Sequence, residues 1–372
     1  MTTFCTPSLD RRSENRDDPA VVAQLWDGES ARLLLVDGDD QVLLAGDHPG
    51  KSGRLVGVPT MGQRDDQRQY LLGVRVGVAW FTQRIEDLGA VMRQMGDAGG
   101  ARPPGRSDQG LYSTSASSAQ GLRDVARPVA ARQAVLDRSD QELLWSALAL
   151  LAWHESDPTC IRCHGRTVVT VGGPSRRCVD CGALVFPRTD PAVIVAVLDD
   201  DDRLLLARQA TWDPGRMSVV AGFIEAGETA EHAVAREVRE ETGLDVRAVR
   251  YLTSQPWPFP RSLMLAYVVR ATGEVQVDGV ELAEGGWYTT DEVRRLTASR
   301  AMGMPSPISV ARRLVEAWLH GALPAPESDV DLPMVVGHVG EHERGDRAMV
   351  WRHGDGSLES SAGWSRAMVM GE

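Results

Sequence analysis

Residues 222 to 244 read Gly222-Phe223-Ile224-Glu225-Ala226-Gly227-Glu228-Thr229-Ala230-Glu231-His232-Ala233-Val234-Ala235-Arg236-Glu237-Val238-Arg239-Glu240-Glu241-Thr242-Gly243-Leu244. Gly222 and Gly227 punctuate a loop, and Thr229 is a fair helix N-cap. From there to Thr242 the chain is rich in Ala, Glu and Arg, which favours helix, and Gly243 stands where a C-terminal glycine ends one. At about 100° per residue, Glu237, Glu240 and Glu241 fall within roughly 100° of arc on one side. Glu237 and Glu241 lie one turn apart, where like charges repel. A hard dication such as Mg2+ or Mn2+ turns that repulsion into binding. Arg236 is a natural bidentate partner to orient a glutamate. Taken alone, the glutamates read as a solvated acidic face. With both glycines, Glu228 and Arg236 in the same register, they read as a site.

The stretch fits G-x5-E-x7-R-E-U-x-E-E-x-G-U, with U a bulky aliphatic, and so resembles the Nudix box. The resemblance implies a mixed-sheet α/β/α sandwich of α/β (α+β) class and metal-dependent cleavage of a nucleoside diphosphate. It makes Glu237 and Glu241 direct ligands of Mg2+ or Mn2+. The carbonyl of Ala221 is a further ligand, and Glu240 a second-metal ligand or base. Which glutamate is the base stays open. Water activated by metal and carboxylate attacks phosphorus, and a nucleotide leaves.

Ten residues beyond the box lies Ser254-Gln255-Pro256-Trp257-Pro258-Phe259-Pro260-Arg261-Ser262. Three alternate prolines forbid helix and stiffen an extended path. Two aromatics and an amide between them suit a planar ring, although a proline-rich surface loop or an edge strand with core aromatics has the same composition. With the box, the strip resembles SQPWPFPxS of the NAD(H) pyrophosphatase branch of Nudix hydrolases. That branch splits NADH or NAD+ into nicotinamide mononucleotide and AMP, and its bacterial members remove NAD caps from RNA. The resemblance places Gln255, Pro256, Trp257, Pro258, Phe259, Pro260, Arg261 and Ser262 along the dinucleotide, with Trp257 stacking. It adds Glu281 as an acidic metal ligand, Ala311 as a substrate contact, Phe223 and Phe186 as aromatic contacts, and Arg123, in Leu122-Arg123-Asp124-Val125, as an arginine touching substrate. It also implies a homodimer.

Cys160-x2-Cys163 and Cys178-x2-Cys181 form two knuckle-like pairs, which read as a structural zinc ribbon. Two disulfides compete with that reading. No secretory signal peptide opens the sequence, which argues for a reducing, cytoplasmic setting. A zinc knuckle before the Nudix domain also fits the family. Cys5 is left over.

The chain has 372 residues and a net charge of -12. That charge argues against broad electrostatic nucleic-acid binding and leaves room for a local basic channel. No run of eighteen apolar residues is present, so no membrane span is expected. The organisation expected is a disordered 1–19, an N-terminal α+β domain with linker over 20–121, a connecting helical segment 122–159, the ribbon at 160–186, the Nudix domain at 187–320 and a disordered extension 321–372. Strands are expected at 31–36, 41–44, one at 70–81, 192–198, 203–209, 263–270 and 286–288. Helices are expected at 85–95 and 137–153. The leading reading is therefore an NAD(H) pyrophosphatase, with NAD-capped RNA as a second substrate. The alternatives are hydrolysis of another nucleoside diphosphate such as ADP-ribose, or a catalytically dead nucleotide-sensing module.

Overall fold

A computed structural model describes residues 7–46, 53–91, 126–156, 158–277, 279–326, 350–352 and 358–360. The chain divides into two units, Met1–Leu323 and Pro324–Glu372. In the second unit, Val350–Arg352 pairs antiparallel with Leu358–Ser360. The remainder of the expected extension beyond 326 lies outside the described residues. So do Cys5, Arg123 and most of the expected linker.

The first unit opens with a strap that differs from the disorder expected for residues 1–19. Leu9 is buried at 2% exposure. Asp10 and Val74 exchange backbone hydrogen bonds of 2.9 and 2.8 Å. Ser8 donates from N and Oγ to Glu142. A single leucine is enough to anchor a polar segment, because the close approach needs only a glycine opposite it. A Cβ on Gly73 would sit 2.4 Å from the Asp10 carbonyl.

Helix α1 (Pro19–Trp26) is capped by Asp18, with proline in its first turn. Strands β1 (Arg32–Val36) and β2 (Gln41–Ala45) follow, joined by a turn in which the Asp37 carboxylate accepts from Asp39 and Gln41 N–H. Short β3 (Arg54–Leu55) and β4 (Val58–Pro59) precede β5 (Gln69–Arg75) and β6 (Val78–Arg84). The single strand expected over 70–81 is thus a hairpin. Val76 and Gly77 both take positive φ, 49° and 76°, the two-residue turn that matches strand twist. Valine in such a turn hides it from a reading of turn residues. The helix expected at 85–95 begins only at residue 88 and leaves the described residues after 91.

β7 (Ala126–Ala130) closes a β3-β2-β7 sheet beside the β4-β1-β6-β5 sheet. Helix α2 (Arg138–Glu155) begins at its Asp137 cap and buries Leu143, Leu144, Ala147, Leu148 and Leu151 in one core with Leu9, Leu34, Val42 and Tyr70. Asp140 of α2 meets Arg75 of β5 at 2.7 Å, both about 5% exposed. At the far end of α2, His154 stacks on Tyr70 at 4.1 Å and its Nε2 bonds the Gly173 carbonyl at 2.9 Å. Burial lowers its pKa to about 4, so it stays neutral between sheet and ribbon.

The ribbon is β10 (Leu184–Val185), β9 (Arg176–Cys178) and β8 (Thr167–Val169), in that order across the sheet. The third part is a mixed sheet ordered β14-β15-β11-β12-β16. Its strands are β11 (Asp190–Leu198), β12 (Leu204–Gln209), β14 (Asp245–Trp257), β15 (Ser262–Thr272) and β16 (Leu282–Tyr288), with β13 (Val220–Phe223) paired to β11. Residues 192–198 of β11 are buried on both faces, as an unbroken apolar run requires. Helix α3 (Ala230–Thr242) packs on one face, and α4 (Thr290–Ala298) and α5 (Val310–Leu319) contribute to the core of the other. This is the mixed α/β sandwich expected. Among the described residues no helix is long and apolar enough to cross a membrane.

Candidate active site

The loop between β13 and α3 is fastened by Glu228. Its carboxylate accepts the Glu225 N–H at 3.0 Å and takes the Arg236 guanidinium through Nε and Nη2 at 2.8 and 2.9 Å. That pairing holds the Glu228 carboxyl down at about 2 and raises Arg236. Thr229 caps α3 and Gly243 ends it at φ 72°. Arg236 also bonds Glu237 at 2.9 Å, Glu240 at 3.0 Å and the Phe223 carbonyl at 2.9 Å. It therefore joins the loop, the strand and two box glutamates, a wider role than orienting one carboxylate.

Glu237 and Glu241 are buried at 8% and 5% exposure, while Glu240 faces outward. Burial raises the Glu237 pKa against the pull of Arg236, and Glu240 and Glu281 add to the rise. Glu281 is thus electrostatically within reach of the box. Two buried carboxylates one turn apart are costly without a cation, and their hard oxygen donors fit Mg2+ or Mn2+.

Glu241 and Ala221 share a cavity of about 190 Å3 with Gln255, Trp257, Met264 and Ala311. Four residues distant in sequence, Ala221, Glu241, Trp257 and Ala311, are therefore brought together by β13, α3, β14 and α5. The cavity also has Trp212 and Arg216, whose guanidinium lies 4.7 Å above the Trp212 ring. Sequence reasoning missed both. The signal available was an aromatic and an arginine flanking Asp213-Pro214-Gly215 between a strand and the box.

The proline strip is extended as expected, and it is also the edge strand: Ser254–Trp257 end β14, and Trp257 pairs with Ser262 of β15. Its side chains divide. Gln255 is 2% exposed, and its amide bonds the Ile308 carbonyl at 2.7 Å and the Val310 N–H at 2.5 Å. It fastens the strip to α5 and forms one wall of the cavity. Pro258 is buried, while Pro256, Pro260 and Arg261 are exposed. Phe259 packs on the N-terminal core, edge-on to Trp257 at 5.0 Å and with the Arg132 guanidinium 4.4 Å above its ring. For Phe259 the edge-strand alternative describes the structure better than a free stacking face. Arg132, whose carbonyl accepts from Ser306, is an arginine the sequence did not single out. Phe223 and Phe186 are 59% and 62% exposed and open to a planar ring. Arg261 and Arg188 both pair with Asp190 beside them, at 2.8 and 2.5 Å.

Away from this cleft, the four cysteines are free and their sulfurs all lie within 4.8 Å of one another. Cys160 and Cys181 are 3.6 Å apart, Cys163 and Cys178 3.5 Å. These spacings suit four thiolates around one ion, since a metal–sulfur bond of about 2.3 Å sets tetrahedral sulfurs ~3.8 Å apart. Backbone N–H groups of Arg162 and Cys163 draw the Cys160 pKa down to about 6, whereas Cys163, against the pull of the Gly165 N–H, is pushed up to about 12 by the thiols of Cys178 and Cys181, so the four sulfurs resist ionising together without a cation.

The family model for the NUDIX domain matches residues 188–306. This chain carries a Nudix domain. Over 196 residues it is 44% identical to the NAD-capped RNA hydrolase NudC of Mycobacterium bovis (strain BCG / Pasteur 1173P2), covering 50% of the chain and 62% of that protein. Over 197 residues it is 36% identical to the NAD-capped RNA hydrolase NUDT12 of Homo sapiens, covering 50% of the chain and 43% of that protein. The chain thus spans less than two thirds of the length of these curated relatives. Among solved structures, a NUDIX hydrolase from Nitrosomonas europaea aligns with 45% of the chain and 94% of its own, at 22% identity and a TM-score of 0.35.

Proposed function

We propose that this protein hydrolyses the pyrophosphate bond of NADH or NAD+ to nicotinamide mononucleotide and AMP, and removes NAD caps from RNA by the same cut. The observation that carries the reading is the meeting of Glu241, Ala221 and Trp257 in one cavity. A buried carboxylate, a backbone carbonyl donor and an aromatic face are what a metal-bound diphosphate joined to a ring needs. The relatives named as NAD-capped RNA hydrolases support the same substrate.

Glu237, Glu241 and the Ala221 carbonyl would hold Mg2+ or Mn2+, with Glu281 adding negative charge. The bound ion supplies charge neutralisation of the diphosphate and an acidified water. Arg236 keeps Glu237 and Glu240 in place, and a box glutamate takes the proton from the attacking water. Trp257, Phe223 and Phe186 face the rings, with Ala311 at the cavity wall. Incubation with NADH and with ADP-ribose tests the reading: the dinucleotide should be hydrolysed with at least about tenfold higher kcat/KM, worth ~1.4 kcal/mol. Preference for ADP-ribose would move the assignment to a general nucleoside-diphosphate hydrolase.

The cysteine cluster reads as a structural zinc site, since all four positions are filled by protein and none is left open. Purified protein should hold about one zinc per chain, and Cys178→Ser should lose it together with stability. Zinc-free, folded protein with its thiols oxidised under non-reducing conditions would contradict this. Four free thiols also suit a reducing cytoplasm, and the homodimer implied by the family belongs to the same reading.

A further inference from the structure

The ribbon sheet has two unlike faces. β8, β9 and β10 align Val168 with Arg177 and Leu184, and Val169 with Arg176 and Val185. Alternation sends Thr167, Val169, Arg176, Cys178 and Val185 inward, and all are buried. Arg166, Arg177, Leu184 and Phe186 fall on the outer face, and all are exposed. A residue at the knuckle end, Val179, is 47% exposed. This is a sheet face of guanidinium groups interleaved with apolar side chains, left uncovered by the described residues of the first unit.

Charge sets this face apart from a chain of net charge -12. From residue 158 to 188 the chain has Arg162, Arg166, Arg176, Arg177 and Arg188 against one acid, Asp180, of which Arg176 is buried on the inner face and Arg188 pairs with Asp190. With Asp180 and the two negative charges that a dication on four thiolates leaves, the three exposed guanidinium groups of Arg162, Arg166 and Arg177 bring this face to balance, where the chain as a whole is acidic. Arg162 and Arg166 make no ion pair among the described residues, and Arg177 bonds only the Gly182 carbonyl at 3.1 Å there. Such guanidinium groups are unspent.

The face also has a direction. Phe186 continues through Pro187 and Arg188 into β11, whose Asp190 aligns with Ser262 and whose Ala192 aligns with Phe223. One end of the outer face is therefore about four residues of chain from the start of β11, whose neighbours Ser262 and Phe223 belong to the strip and to the box loop. The other end, at Arg166 and Val179, lies about four residues of strand away, roughly 13 Å. That is room for about two nucleotides of an extended strand.

We propose that the outer face of the ribbon sheet is the docking track for the first nucleotides of a single-stranded RNA whose NAD cap sits in the Nudix cleft. This rests on the NAD-cap reading of that cleft. Arg166 and Arg177 take phosphates, Leu184 offers apolar surface to a base face, and Phe186, already assigned to a ring of the cap, joins the track to the cleft. Single strands are bound in this way on basic sheets, because stacking tolerates any base and the backbone supplies the charge. The overall acidity of the chain then confines RNA to the track instead of the whole surface.

The test is R166E/R177E, which touches neither box nor strip. We would measure kcat/KM on NADH and on an NAD-capped single-stranded RNA of about twenty nucleotides across a salt series. Binding of the same RNA carrying a plain 5′-phosphate would be followed by fluorescence anisotropy. The expected result is NADH hydrolysis within about twofold of wild type, with capped-RNA hydrolysis and RNA binding down about tenfold or more near 0.1 M salt. The log–log salt slope should become shallower by about 1.4, two phosphates at ~0.7 each. Unchanged RNA binding and unchanged slope would overturn the track while leaving the catalytic reading intact. So would conversion of a dimer to a monomer with RNA binding unaltered, which would make this face an interface between copies. If wild type cleaved no NADH yet bound RNA with the expected slope change, the track would stand and the catalytic reading would fail. R166Q/R177Q carries the same comparison if the charge-reversed variant loses its zinc.

Discussion

Glu241→Gln should remove nearly all turnover and leave the protein folded. The amide keeps the size of the carboxylate and loses its charge, at a position 5% exposed on the wall of the cavity. A dication held by two buried carboxylates cannot be held equally by one. The expected drop in kcat is about a thousandfold or more, equivalent to ~4 kcal/mol of transition-state stabilisation. Folding should not suffer, because Glu237 and Glu241 are like charges one turn apart and removing one relieves repulsion. Steady-state rates and thermal melts of the same preparation check both halves. A variant with wild-type rates would remove Glu241 from the metal site.

Gly222→Ala separates function from stability by a different route. A Cβ there would lie 1.9 Å from Cδ of Glu237 and 2.0 and 2.2 Å from its carboxylate oxygens. Gly222 pairs with Val193 in the sheet and does not take positive φ, so alanine fits the backbone. The collision falls on the free end of a flexible side chain, which can swing aside cheaply. What is displaced is the proposed metal ligand. We expect Tm within a few degrees of wild type and kcat about a hundredfold lower, ~2.7 kcal/mol. A variant that unfolds but retains full activity per folded molecule would show that the glycine serves packing alone.

The parts legible in the sequence are those fixed by local rules. The helix over 230–242 announced itself through Thr229, Gly243 and an unbroken run of helix formers. The cysteine pairs specified their own cluster, and the strands expected at 192–198 and 203–209 are found as β11 and β12. The parts that were not legible depend on residues distant in sequence. Arg132 lies over Phe259 because α5's approach, the strip and the segment after β7 close on one another, and no local pattern records that. Gln255 looks like a ring-binding amide in sequence; only the position of Ile308 and Val310 shows what its amide holds. Leu9 in a polar N-terminal run reads as solvated until β5 offers Gly73 for the strap to lie against. Val76-Gly77 breaks a strand because twist favoured the turn over the β-propensity of valine.

Electrostatics follow the same division. The motif supplies the glutamates, and the fold decides their roles. Glu228 is the firmest partner of Arg236, and Glu237 is buried enough for its charge to be costly. Glu240 stays exposed on the same helix, paired at its edge. A single arginine thus spreads its charge over three carboxylates, which keeps four glutamates in one small volume compatible with folding.

Pyrophosphate cleavage of NADH is tested by product analysis with chromatography and mass spectrometry, using purified protein and Mn2+. Reduced nicotinamide mononucleotide and AMP should form in equal amounts, with no free nicotinamide and no adenosine. Intact NADH after prolonged incubation of folded, zinc-bearing protein, or cleavage at the glycosidic bond, would contradict it.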